Sequence, residues 1–202
     1  MNKTEQIYRE ILYCALEKKK FTMTQLELSK GLDVSISTVN HSLKALKKMG
    51  AINIHPMNFE IVNPKKILYY WAGIRNIQKD IIFEARIDRS VAEIEKSMPQ
   101  NIIYAAYSSY KFKFRDIPAD YSEVYIYSDE KTLNELKKRL DIKKTNTNIS
   151  NLFVLKKDEN MDKYSKTMTL ANIFVDLWNI KEWYARDFLK ALEKEINKIL
   201  GE

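Results

Sequence analysis

The sequence lacks features on which many secreted and membrane proteins depend. It contains one cysteine, Cys14, so no disulfide can form within the chain. Glycine and proline are scarce, with four residues each, which argues against long low-complexity linkers. No apolar run approaches the ~20 residues of a membrane-spanning helix, and charges interrupt the N-terminus too early for a secretory signal. We therefore expect a cytoplasmic protein with no membrane partner.

Positive charge is present, and it is unevenly distributed. The chain holds 34 Lys+Arg and 27 Asp+Glu, a net charge of +7. Residues 1–66 contain 11 of the basic and 6 of the acidic residues, so +5 of the +7 lies in the first third. A local basic excess suits a polyanion such as nucleic acid, although a solvated lysine-rich surface would give the same count.

Local signals near the N-terminus predict three helices. Apolar spacing predicts a helix over residues 3–19, with Cys14 on its buried face, and residues 21–23 form a short edge strand. Thr24 and Glu27 predict a capping box that opens a second helix, which Gly31 ends in a left-handed conformation. Ser35 is predicted to cap the third helix, and Gly50 to end it.

Two short helices joined by a tight turn, the second longer and basic, are typical of a helix-turn-helix. Its core face is predicted to consist of Ile36, Val39, Leu43 and Leu46. Short polar side chains on the other face could reach base edges and the lysines could reach phosphates. The predicted DNA contacts on this segment are Ser35, Ser37, Thr38, Asn40, His41, Lys44 and Lys48. The alternative is a solvated helix face in a small bundle.

A β-hairpin is predicted directly after the third helix. Residues 51–55 alternate between apolar and polar, residues 56–58 form a turn, and residues 59–62 return. This hairpin would be a wing, with His55 and Asn58 as further DNA contacts at its tip. The stretch VSISTVNHSLKALKKMGAI resembles the recognition helix and the start of the wing in winged-helix repressors, which implies double-stranded DNA as the partner. We assign residues 1–63 to a winged helix-turn-helix domain.

The remaining residues are predicted to form a connecting helix over 64–79 and an α+β domain over 80–202. Pro64 suits the first position of the connecting helix, and Tyr69, Tyr70 and Trp71 are expected to pack between the domains. The α+β domain alternates strands and helices around a small mixed sheet and ends in two helices. Strands are predicted over 80–87, 102–106, 124–127 and 152–155, and helices over 90–97, 131–140, 169–178 and 182–200.

Three stretches carry a resemblance that spans most of the chain. They read NPKKILYYWAGIRN, YAAYSSYKFKF followed by EVYIYSDE, and LANIFVDLWNI. In these the chain resembles winged-helix regulators with a degenerate nucleotidyltransferase-like C-terminal domain, namely the AbiEi-like antitoxins of viral defence systems and their archaeal relatives. The resemblance implies transcriptional regulation or an antitoxin role through operator DNA, with a cognate toxin as a further partner. A helix-turn-helix that reads two half-sites would also be compatible with a homodimer.

An active nucleotidyltransferase of this fold needs a Gly-Ser loop for phosphates and an Asp-x-Asp pair for Mg²⁺. The loop position reads Tyr107-Ser108-Ser109-Tyr110 without glycine, and Glu123 is followed at i+2 by Tyr125. Other carboxylates, at Asp116, Asp120, Asp129 and Asp176, lack the expected spacing. We expect a catalytically inactive domain in which Ser108 and Ser109 cap a helix.

Neither a metal nor a cofactor is expected anywhere in the chain. His41 and His55 are its two histidines and there is no cysteine cluster, so a dedicated zinc or haem site is not predicted. Two alternatives remain at this point. One is a metal-dependent nucleotidyltransferase that uses the winged helix as a docking module, and the other is a winged helix that binds only proteins.

Overall fold

The computed structural model describes residues 1–142 and 149–202. The N-terminal part contains three helices, α1 (Lys3–Glu17), α2 (Gln25–Leu32) and α3 (Ile36–Lys48). Three short strands, β1 (Thr22–Met23), β2 (Ile52–Ile54) and β3 (Phe59–Ile61), form an antiparallel sheet in the order β1-β3-β2. The helix-turn-helix with its wing is therefore confirmed, including the predicted edge strand.

Hydrogen bonds at the helix ends explain these boundaries. The Glu27 amide donates to the Thr24 hydroxyl at 3.0 Å, and the Thr24 amide donates to the Glu27 carboxylate at 2.8 Å, which completes the capping box. The Thr38 amide donates to the Ser35 hydroxyl at 3.1 Å, and Gly50 takes a left-handed φ of 66° after α3. The predicted role of Gly31 is wrong, because α2 continues through it and Asp33 takes the left-handed conformation at φ 50°.

The rest of the described chain is α+β, as predicted. Its helices are α4 (Pro64–Ile74), α5 (Val91–Lys96), α6 (Ala106–Phe114), α7 (Glu130–Arg139), α8 (Leu170–Trp178) and α9 (Ala185–Leu200). Its strands are β4 (Ile81–Ala85), β5 (Ile103–Ala105), β6 (Val124–Ser128) and β7 (Leu152–Lys156). They form a mixed sheet in the order β4-β7-β6-β5, in which β6 and β7 are parallel and the other neighbours antiparallel.

Two apolar clusters hold these layers together. The larger one is continuous from α1 and the winged-helix core through Trp71 of α4 to Phe174 of α8 and Phe188 of α9. The smaller one lies on the other face of the sheet, where Ile94 of α5 and Leu136 of α7 cover it. The boundaries at residues 63 and 79 stay a prediction, since the larger cluster spans both.

Aromatic side chains of α4 connect the parts of the larger cluster, as expected. Tyr70 meets Tyr8 of α1 edge-on at 5.9 Å between ring centroids, and Tyr69 meets Phe174 of α8 edge-on at 5.8 Å. The Trp71 indole N–H donates to Glu5 of α1 at 3.2 Å. These contacts fix α1, and with it the winged helix, against α4 and α8.

Buried polar contacts make a second connection between the winged helix and the following sheet. Arg9 of α1 donates two hydrogen bonds, at 2.8 and 2.9 Å, to the carboxylate of Asp158 in the segment after β7. Asn160 in the same segment donates to the carbonyl oxygen of Leu32, at the end of α2, at 3.1 Å. The segment after β7 therefore touches both α1 and the end of the first helix of the helix-turn-helix.

Candidate nucleic-acid interface

Helix α3 presents one polar face to solvent. Val39, Leu43 and Leu46 are fully buried beneath it, as predicted. Its exposed residues are Ile36, Ser37, Asn40, His41, Lys44, Lys47 and Lys48. At ~100° per residue these side chains cover an arc of about 140°. The arrangement gives a continuous surface of short polar side chains followed by lysines, as a helix in the major groove requires.

The predicted contact residues of α3 differ in how free their side chains are. The hydroxyls of Ser35 and Thr38 lie 2.8 Å apart, and Ser35 also caps the helix, so both are partly engaged. In the part of the chain that the structure describes, no side chain forms a hydrogen bond or an ion pair with the side chains of Asn40, His41 or Lys44. The same holds for Ser37 and Lys48. Five of the seven predicted residues are thus available to an incoming ligand.

The wing turn lies beside the start of α2. The His55 amide donates to the Asn58 carbonyl oxygen at 2.8 Å and closes the turn. The His55 imidazole Nε2 lies 3.9 Å from the Glu60 carboxylate, and both side chains are half exposed. Because β1 pairs with β3, the turn lies next to Thr24 and the first residues of α2. His55 and Asn58 therefore share one surface with the start of α2.

The position of Ile36 corrects the predicted core. Its side chain is 50% exposed, whereas the prediction placed it with Val39 in the core. Ile36 is the first residue of α3, about 50–60° around the helix from the centre of the buried stripe. It lines a groove of about 380 Å³ between the start of α2 and the wing turn. Sequence reasoning missed this groove and also the exposed Lys47, which lies in the last turn of α3 on the same solvent-exposed face.

Residues 8–53 match the family model of winged helix-turn-helix DNA-binding domains. The match runs from α1 through α3 into β2 and covers a minority of the chain. No curated protein and no solved structure is similar to the chain at a significant level. The N-terminal part is therefore a winged helix-turn-helix, and the match supports a DNA-binding regulator in general terms. Contact between DNA and the individual residues named above stays a prediction.

The position that the nucleotidyltransferase-like resemblance assigns to a phosphate loop lies at the start of α6. Helix α6 begins at Ala106, immediately after β5, with Tyr107, Ser108 and Ser109 buried in its first turn. The predicted capping role of the serines is wrong, because Ala105 occupies the cap position and the Ser109 hydroxyl accepts the Met168 amide at 2.9 Å instead.

Carboxylates near this point are engaged with neighbouring side chains. Glu123 immediately precedes β6 and accepts hydrogen bonds from the hydroxyls of Ser122 and Tyr184. Asp129 caps α7 by accepting the Thr132 amide at 2.7 Å, and Asp176 is fully buried in α8. Within residues 1–142 and 149–202, no three His, Cys, Asp or Glu side chains are grouped so that they could hold a metal ion.

None of the helices that the structure describes combines the length and the apolar composition that crossing a bilayer requires.

Proposed function

We propose that the chain is a sequence-specific transcriptional regulator, a repressor or antitoxin-like protein, that binds double-stranded DNA through α3 and the wing. The observation that carries the proposal is the exposed face of α3, where free polar side chains precede three lysines. The family match over residues 8–53 supports it independently, and so does the net charge of +5 over residues 1–66.

The side chains on this face divide into two roles. Ser37, Asn40 and His41 lie on the first two turns of α3 and carry the donors and acceptors that read base edges. Lys44 and Lys48 lie further along the same face and neutralise phosphates, which adds affinity without sequence preference. His55 and Asn58 on the wing turn extend the contact beside α2.

The C-terminal domain is proposed to act in regulation or interaction and not in catalysis. Two observations support a role outside catalysis. Buried tyrosine and serine side chains occupy the position expected for the phosphate loop, and Glu123 accepts hydrogen bonds from the hydroxyls of Ser122 and Tyr184. The segment after β7 also contacts α1 and α2 directly, which gives the domain a route to the winged helix. The strand-helix-strand order of β5, α6 and β6 is compatible with the nucleotidyltransferase-like resemblance.

Selection of bound sequences from a random duplex library tests the DNA-binding proposal. We expect one enriched motif and an affinity that falls steeply as the salt concentration rises. Lys44→Ala should weaken binding to motif and random DNA alike and lower the salt slope by about one. Asn40→Ala or His41→Ala should relax the preference at one or two base pairs, with losses of about 1–3 kcal/mol.

A matched control for Lys44→Ala is Lys194→Ala. Lys194 is an exposed lysine on α9, outside the winged helix, and its replacement should leave affinity and salt slope unchanged. The proposal fails if the wild-type protein enriches no motif, or if both lysine variants lower the affinity equally.

A further inference from the structure

Exposed apolar side chains meet beside the start of α3. Leu26 is 49%, Ile36 is 50% and Met57 is 83% exposed, and all three line the groove of about 380 Å³ between α2 and the wing turn. Single exposed apolar residues are common on protein surfaces, whereas a cluster in a concave surface indicates a binding site. His55 and Asn58, the proposed wing contacts, also line this groove, whereas its three apolar side chains have no role in the hydrogen-bonding and phosphate contacts described above.

The groove is continuous with the polar face of α3. Ile36, Asn40 and Lys44 follow each other at i, i+4 and i+8, so they form one stripe along the helix. A duplex that holds α3 in its major groove along the length of the helix therefore passes over Ile36 as well as Asn40 and Lys44. The positive charge of Lys44, Lys47 and Lys48 along this stripe favours a polyanion as the occupant over an apolar peptide.

The major groove of DNA offers one apolar group on its base edges, the C5-methyl group of thymine. We infer that Ile36 contacts thymine methyl groups, with Leu26 and Met57 forming the walls of the apolar contact. The operator then carries thymine opposite the start of α3, next to the base pairs read by Asn40 and His41. This inference rests on the proposed DNA binding and adds a specificity-determining residue to it.

Duplexes in which uracil replaces thymine test the inference, because the two bases differ only by this methyl group. The probe is a fragment enriched from the random library, prepared once with thymine and once with uracil, and binding is measured by fluorescence anisotropy at one salt concentration. We expect the wild-type protein to bind the uracil duplex about fourfold more weakly for each thymine methyl group that Ile36 touches. Uracil at single positions should locate the effect opposite the start of α3.

Ile36→Ser assigns the effect to the side chain. This variant should bind the thymine duplex as weakly as the wild type binds the uracil duplex, and should no longer distinguish the two. Ile74→Ser is the matched control, because Ile74 is similarly exposed at 47% but lies at the end of α4, outside the groove. It should retain the full preference for thymine.

The possible results separate the inference from the function on which it rests. If no duplex is bound specifically, the proposed function fails and the inference with it. Specific binding that is equal for thymine and uracil duplexes overturns the inference alone. An equal loss of affinity for the thymine and the uracil duplex in Ile36→Ser also overturns the inference, since Ile36 would then contact another part of the DNA or support the fold.

Discussion

The pKa of a carboxyl in the buried polar cluster around Arg75, at the end of α4, follows from its burial and from the charges beside it. Asp176 of α8 is fully buried and accepts hydrogen bonds from Tyr127 at 2.8 Å and from Asn172 at 2.7 Å. The Arg75 guanidinium lies 3.5 Å away and also pairs with Glu5 and Asp80. Burial raises the pKa of Asp176 to about 6, in spite of the opposing effect of Arg75.

This pKa predicts a pH-dependent contribution to stability. A carboxyl that binds its proton more tightly in the folded than in the unfolded state stabilises the fold fully below the unfolded pKa of ~3.9. The contribution is then lost as pH rises through about 6. Relative to Asp176→Asn, which stays neutral, the wild-type protein should gain about 2 kcal/mol of unfolding free energy between pH 7 and pH 4.

Urea titrations of both proteins across this pH range measure the difference. Burial acts to raise the pKa of Asp80, but the charge and hydrogen bond of Arg75 together with the N-terminal amine of Met1 outweigh it, so this pKa is lowered. The stabilisation that Asp80 contributes is therefore lost as pH falls. Asp80 is present in both proteins, so its contribution cancels from the comparison apart from its coupling to Asp176 through Arg75. A difference that is constant with pH would contradict the raised pKa of Asp176.

At the scale of the elements, glycines distinguish a helix interior from a helix end. Gly31 lies inside α2, and a Cβ built on it meets no atom within 4 Å. Gly50 ends α3 at φ 66°, a conformation that L-residues adopt with strain. We therefore expect Gly31→Ala to raise the free energy of unfolding by about 0.5–1 kcal/mol, and Gly50→Ala to lower it by about 1 kcal/mol.

Chemical denaturation of the two variants checks this pair, and each is the control for the other. Both make the same chemical change, so opposite signs can arise only from the backbone conformation at the two positions. Destabilisation by Gly31→Ala would indicate that α2 ends at Gly31, as the sequence predicts, and not at Asp33.

Element positions were largely predictable because their signals are local. The Thr24–Glu27 box, the Ser35 cap and the Gly50 stop each involve residues within a few positions of one another. The exposure of Ile36 was not predictable from such signals. Its spacing from Val39 matches a core position, and only the positions of α2 and the wing leave a groove on that side.

At the scale of the whole molecule, the Arg9–Asp158 pair connects residues far apart in sequence. The Arg9 side chain is fully buried and that of Asp158 is 5% exposed. Asp158→Ala should cost about 3–5 kcal/mol, because it leaves a buried guanidinium without its counter-charge. Adding Arg9→Met should recover part of this loss, since the apolar side chain needs no partner.

Glu159→Ala is the control for Asp158→Ala. Glu159 is the next residue and pairs with Lys3 of α1, but both side chains are about half exposed. This substitution should change the free energy of unfolding by no more than about 1 kcal/mol, as measured by urea titration. Equal losses in the two alanine variants would argue against a buried anchor between α1 and the segment after β7.

Features that depend on neighbouring residues and on composition follow from the amino-acid sequence without any knowledge of the packing. These are the order of helices and strands, the helix-turn-helix with its wing, the α+β character of the remainder and the polar face of α3, because periodicity and capping act over a few positions. Which residues meet across the chain depends on the three-dimensional arrangement. It pairs Arg9 with Asp158, places Asp176 beside Arg75, and brings Leu26, Ile36 and Met57 to one groove. These contacts result from the way helices, strands and the wing pack on one another, and no local pattern in the sequence records that packing.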